Sequence, residues 1–136
     1  NEGFFRQLEA ELVDAVSVFA RYETATRKRK DDDGNEVYLT RRQYNESFQQ
    51  FDNPVPEIPE SGQYLWDWFF DADGRISRID DGTCRMIPPT EWIAWQQLHG
   101  DIIYQWEYGT LAAMDRAYCA AVNEEIAAGR AMEKQG

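Results

Sequence analysis

The sequence predicts an all-α fold of about five helices closed by a C-terminal helical hairpin. Three observations lead there: apolar stripes at helical spacing, proline and glycine punctuation between them, and an aromatic content of 14% that argues against a disordered chain. Residues 88–118 carry the clearest signal and hold three of the five tryptophans. Pro88-Pro89 cannot continue a preceding helix. Thr90 reads as the N-cap, and Glu91 places a negative charge in the first turn, where the helix dipole favours it. Trp92, Trp95 and Leu98 share a face, and Gly100 suits the position just past the helix end. Asp101 then offers a cap to a second helix that starts near Tyr104. That helix carries Leu111, Met114, Tyr118, Val122 and Ile126 in one stripe and reaches Arg130, with Gly109 as its weak point. The hairpin these two helices form would bury tryptophan against the Leu111–Tyr118 face.

The rest of the chain follows in order. Just after Gly3 a helix begins, with Phe4, Leu8, Leu12, Val16 and Phe19 at helical spacing, Phe5 and Val13 beside them, and Arg6, Glu9, Glu11 and Asp14 mostly opposite. Arg27-Lys28-Arg29-Lys30 runs straight into Asp31-Asp32-Asp33, which largely cancels its field, and Gly34-Asn35 marks a turn. Residues 24–30 and 36–40 leave room for a small β-hairpin, with a solvated loop as the alternative. Tyr44, Phe48 and Phe51 place a short helix within residues 40–52. Pro54, Pro56 and Pro59 then make residues 53–60 an extended connector. Ser61 can cap a third helix, on which Tyr64, Leu65, Trp66, Trp68, Phe69 and Phe70 are apolar nearly all round. Residues 71–86 read as a polar loop with a short hairpin around Asp80-Asp81-Gly82. The organisation expected is one helical domain over residues 1–136: N-terminal helices in 1–52, the connector in 53–60 and an aromatic core in 61–130.

Composition bounds the function. The chain has 136 residues and a formal net charge of −11, and such a surface disfavours nonspecific contact with nucleic acid or anionic membranes. No apolar run approaches the roughly 20 residues of a membrane span, and the given residues open on no basic-then-apolar leader. Cys84 and Cys119 stand far apart in sequence and match no metal spacing, so two free thiols in a reducing cytoplasm are expected, with a pair as the alternative.

Chemical motifs are weak. Asp71, Asp73, Gly74, Ile76 and Asp80 echo the later positions of an EF-hand calcium loop, but its first ligand position falls on Phe69, and Asp81-Gly82 breaks the exit helix. With 25 acidic residues, paired carboxylates carry no signal for glycosidase chemistry. His99, the one histidine, suits a helix C-terminus as a structural residue and comes without a nucleophile motif. No glycine-rich phosphate loop is present. No metal, cofactor or catalytic residue is expected.

Four features do fall in a familiar order: Pro56–Pro59; Tyr64-Leu65-Trp66-x-Trp68-Phe69 with an arginine-containing loop after it; Glu91-x-x-x-Trp95-x-x-Leu98-x-Gly100; and Trp106-Glu107-x-x-x-Leu111-x-x-Met114-Asp115-Arg116-Ala117-Tyr118. Over residues 56–122 this resembles the small tail assembly chaperones of long-tailed bacteriophages, encoded beside the tape-measure protein. His99 stands where a small hydroxyl residue is expected, and residues 1–55 match nothing in the pattern. The resemblance implies a non-enzymatic protein of the bacterial host cytoplasm, absent from the mature virion. It also implies binding to the tape-measure protein, with tail-tube subunits, a companion chaperone or a second copy as further partners. On that reading Trp66, Trp68, Phe69, Trp92, Trp95 and Trp106 are the candidate partner-binding residues. Thr90, Glu91, Gly100, Leu111, Met114, Asp115 and Tyr118 form the structural motif, in which Asp115 accepts hydrogen bonds from a helix end or a Trp N–H. The alternative is an acidic mimic of nucleic acid that blocks a DNA-binding protein, whose binding would weaken steeply with salt; a small hydrolase would need a pocket with a perturbed carboxylate.

Overall fold

The computed structural model describes residues 2–135. These hold five α-helices and two two-stranded antiparallel sheets. In chain order they are α1 (Glu2–Glu23), β1 (Ala25–Lys30), β2 (Glu36–Thr40), α2 (Arg41–Ser47), a 3-10 turn (Glu60–Gly62), α3 (Gln63–Asp73), β3 (Ile79–Asp80), β4 (Thr83–Cys84), α4 (Pro89–His99) and α5 (Gln105–Gln135). The mostly helical expectation holds, and both small hairpins form.

Helix α1 buries Leu8, Leu12, Ala15, Val16 and Ala20, while Phe4 at its start remains half exposed. Its principal partner is α5, which runs through Gly109 without a break and past Arg130 to Gln135. The expected α4–α5 hairpin gives way to this α1–α5 pair. The connection after Gly100 swings α4 aside, so its tryptophans reach the core while its backbone does not run along α5. Between the two long helices sit Leu65 and Phe69 of α3, with Trp92 and Trp95 of α4, Ile87, Leu111 and Met114. Gly62 lets the 3-10 turn approach α1: a Cβ there would stand 2.9 Å from Leu8 Cδ1.

Several expected boundaries shift, each for a local reason. Helix α2 ends at Ser47, leaving Phe48 and Phe51 outside it and exposed. A capping box starts α2: the Thr40 hydroxyl accepts from the Gln43 N–H, and the Gln43 side chain accepts from the Thr40 N–H. Ser61 lies within the 3-10 turn and makes no cap; Gly62 takes the N-cap position of α3. Pro88, rather than Thr90, is the N-cap of α4, because Pro89 already fits the first helical position and carries Thr90 into the turn. Gly100 does end α4, at φ 85°. Asp101 does not cap α5; its carboxylate faces His99. The N-terminus of α5 is closed by Glu107, which accepts the Tyr104 N–H at 2.8 Å and the Tyr64 hydroxyl.

The basic run is neutralised elsewhere than expected. Arg27 turns inward to Glu125 at 3.1 Å, Arg41 reaches the other oxygen of the same carboxylate at 3.1 Å, and Lys28 pairs with Glu36. Asp31 instead shapes the turn by accepting from the N–H groups of Asp33 and Asn35. The buried Arg27–Glu125 pair thus fastens the β1–β2 hairpin to α5. Gly129 permits the approach, since a Cβ there would lie 2.2 Å from the Thr26 carbonyl oxygen.

Two glycines of α5 should therefore respond oppositely. Gly129→Ala forces β1 from the helix and should cost about 1–3 kcal/mol. Gly109→Ala, with nothing within 4 Å of the added carbon, should stabilise by about 0.5–1 kcal/mol. Urea denaturation of both variants checks the pair; equal effects would refute the packing at Gly129.

Candidate functional site

Helix α5 presents a polar stripe, Asp115, Cys119 and Asn123, at spacings of four. Each member holds the segment between α3 and α4. Asp115 is fully buried and takes Arg78 on one oxygen and the Ile87 N–H on the other, at 2.6 Å. Cys119 accepts an Arg78 N–H at 3.4 Å and lies 3.3 Å from the Cys84 sulfur. The Asn123 side chain accepts the Cys84 N–H at 2.8 Å.

Arg78 is the centre of this assembly. Its guanidinium also bonds Asp73 at 2.6 Å and the Arg85 carbonyl at 2.8 Å, and it lies over the rings of Tyr118 and Phe69. Burial pushes the Asp115 carboxyl above the ordinary range, while the Arg78 charge pulls it the other way. Burial pushes Asp73 up in the same manner. Asp71 moves oppositely: the Trp95 indole N–H, donated at 2.6 Å, holds it below the ordinary range. The Trp N–H anticipated for Asp115 thus goes to Asp71, whereas the backbone donor anticipated for Asp115 is Ile87, just before the start of α4. Asp71 and Asp73, two residues of the calcium-like pattern, face Arg75 and Arg78. No group of three or more potential metal ligands occurs among the described residues.

The structure brings most of the predicted partner-binding residues together, but inward. Phe69, Trp92 and Trp95 are buried. Trp68 packs on Tyr64 and Trp95, Trp66 on Phe19 and Phe70, and Trp106 on Phe5. Of the structural motif, Leu111, Met114 and Asp115 are fully buried, and Tyr118 contacts Phe69 and Phe70. Leu111 and Met114 share one core with α3 and with Trp92 and Trp95 of α4, and Asp115 holds the loop. His99 stacks on Trp95 at 4.2 Å and meets Asp101 at 2.6 Å.

One exposed apolar stretch lies on α4 and its exit, beside others at Tyr38 and at Phe48, Phe51 and Val55. Ile93 is 54% exposed, Leu98 77%, Ile102 68% and Tyr104 60%. Leu98, expected on the buried face with Trp92 and Trp95, stands six positions after Trp92 and has rotated out to solvent. Beside Ile93 runs an apolar groove of about 410 Å³, floored by Trp92 and walled by Pro89, Gln96, Ile103 and Tyr108. Gln96 fixes its exit wall by accepting the Ile103 N–H at 2.8 Å. Arg78 and Gln96 were not singled out from the sequence, and Glu107 entered only as part of the Trp106-Glu107 motif. The four-residue spacing of Asp115, Cys119 and Asn123 was the available signal for the first of them.

A family model described as phage tail assembly chaperone matches residues 41–120. The chain belongs to the phage tail assembly chaperone family. The match spans more than half of the chain and begins at α2, so residues 41–55 belong to the family pattern, contrary to the expectation from residues 56–122. No curated protein and no solved structure matches the chain. No helix among the described residues is long and apolar enough to cross a membrane.

Breaking the Arg78–Asp115 pair tests the assembly behind this surface. Arg78→Met or Asp115→Asn alone leaves a buried group without its partner and should cost about 3–5 kcal/mol. The double variant Arg78→Met/Asp115→Leu should cost clearly less than the sum of Arg78→Met and Asp115→Leu. Additive losses in urea denaturation would refute the coupling.

Proposed function

We propose that this chaperone binds a helix of the tape-measure protein along the exposed apolar flank of α4 and keeps that client soluble during tail assembly. The observation that carries the reading is the division of labour on α4: Trp92 and Trp95 go into the core, while Ile93, Leu98, Ile102 and Tyr104 are left at the surface of the helix and its exit. An amphipathic client helix can lay its apolar stripe against such a flank, with Trp92 as the floor of the groove. The net charge of −11 keeps the pair soluble and favours a client helix with basic flanks. The role is non-enzymatic and belongs to the host cytoplasm, with the protein absent from the finished virion. Tail-tube subunits, a companion chaperone and a second copy are further partners on this reading.

Co-expression with the tape-measure protein tests it. Wild type should give a soluble complex that survives high salt, since apolar contact is not screened. Ile93→Asp/Ile102→Asp should lower soluble client about tenfold, the equivalent of about 1.4 kcal/mol, with the chaperone's own Tm nearly unchanged because both residues are exposed. A complex unaffected by these changes would overturn the site. Binding that collapses with salt would favour the nucleic-acid mimic instead.

A further inference from the structure

Cys84 and Cys119 lie 35 positions apart in the chain, on different elements, yet their sulfurs stand 3.3 Å apart and both residues are buried. Three contacts from two side chains, Asn123 and Arg78, keep them in register. The Cys84 backbone N–H is held by Asn123, one turn beyond Cys119 on α5. Arg78 donates to the Cys119 sulfur at 3.4 Å. Arg78 and the Arg85 carbonyl tie the two limbs of the β3–β4 hairpin together behind Cys84. The hairpin turns at Asp81 and Gly82, both at positive φ, and exposes Ile79, Asp80 and Thr83, so the sulfurs lie one layer below solvent. Nothing in the chaperone reading uses them.

We propose that Cys84 and Cys119 form a redox-active dithiol, which a peroxide closes to an internal disulfide that locks the β3–β4 hairpin onto α5. The two sulfurs have different roles. The Arg78 guanidinium donates to the Cys119 sulfur at 3.4 Å and favours its thiolate, and the contact between the two sulfurs draws Cys119 below its ordinary range while contact and burial push Cys84 up. Cys119 is therefore the nucleophile and Cys84 the resolving thiol. The Cys119 thiolate attacks a peroxide oxygen: an S–O bond forms, the O–O bond breaks, and the departing oxygen takes the proton Cys119 released and leaves as water. The Cys84 sulfur then attacks the sulfenic sulfur: the S–S bond forms, the S–O bond breaks, and hydroxide leaves with the Cys84 proton as a second water. Two electrons pass from the thiols to the peroxide. The cross-link restricts the unfolded chain and holds the loop that leads into α4.

The test exposes the full reduced chain to graded hydrogen peroxide without denaturant. The monomer should lose two hydrogen atoms by intact mass, and one peptide pair should join Cys84 to Cys119. Tm should rise by about 10 °C, reversed by dithiothreitol. Cys84→Ser should accumulate a dimedone-trapped sulfenic acid on Cys119, whereas Cys119→Ser should trap far less on Cys84. Thiols inert to peroxide, products that are intermolecular dimers, or sulfinic acid in place of the disulfide would each overturn the proposal.

Discussion

A buried arginine from a loop organises this protein. Arg78 comes from a segment with little apolar content, yet it enters the core and meets Asp115, Asp73, a backbone carbonyl and two aromatic faces. A buried charge without partners costs several kcal/mol, so the arrangement is tolerable only because each side of the guanidinium is occupied. Among the described residues, every buried side-chain nitrogen and oxygen has a hydrogen-bond partner. That completeness makes the loop specific: a shifted register would leave Arg78 or Asp115 alone in an apolar surround. Since the second Asp115 oxygen receives the Ile87 N–H, the same carboxylate anchors the residue that precedes the Pro88-Pro89 start of α4.

Helix α5 acts as the ruler for the rest. Its apolar residues Leu111, Met114 and Val122 pack the core, its stripe Asp115–Cys119–Asn123 holds the α3–α4 segment, and Glu125 with Gly129 receives the first hairpin. Three periodic demands on one helix explain its mixed composition. It carries buried Glu107, Asp115 and Glu125 where a simple core helix would carry leucine. Each of these acids has a cation, hydroxyl or backbone N–H directed at it, so the polarity serves selection between packings more than raw stability.

Local signals in the sequence were legible wherever one residue type forces a conformation. The proline start and glycine stop of α4, the tight turn at Asp81-Gly82 and the helical stripe of α1 needed no tertiary information. Two kinds of feature were not legible. The choice of α1 rather than α4 as the partner of α5 depends on how the exit after Gly100 swings, and periodicity leaves that open. Burial of single polar residues was hidden too: Arg75, Arg78 and Arg85 look alike in sequence, and only the position of Asp115 makes Arg78 the buried one. The depth of each aromatic residue was not legible either: of the six candidate partner-binding positions, Phe69, Trp92 and Trp95 are buried in the core shared by α1, α3, α4 and α5, while Trp66, Trp68 and Trp106 are half-buried against it.

That outcome bears on how such a chaperone can hold a client. The inclined indoles of Trp68, Trp92 and Trp95, with an Asp71 hydrogen bond to Trp95, form a packed base, whereas Ile93, Leu98 and Ile102 are exposed. On the proposed reading, aliphatic side chains on a packed base offer apolar area without demanding one ring geometry, so client helices of differing sequence can be accepted. A surface of exposed tryptophans would bind more tightly and select more narrowly. An assembly chaperone must also let go when the finished structure replaces it, and binding spread over modest aliphatic contacts, each worth little alone, permits that exchange. The buried Arg78 network keeps that base in one register while the surface above it stays permissive.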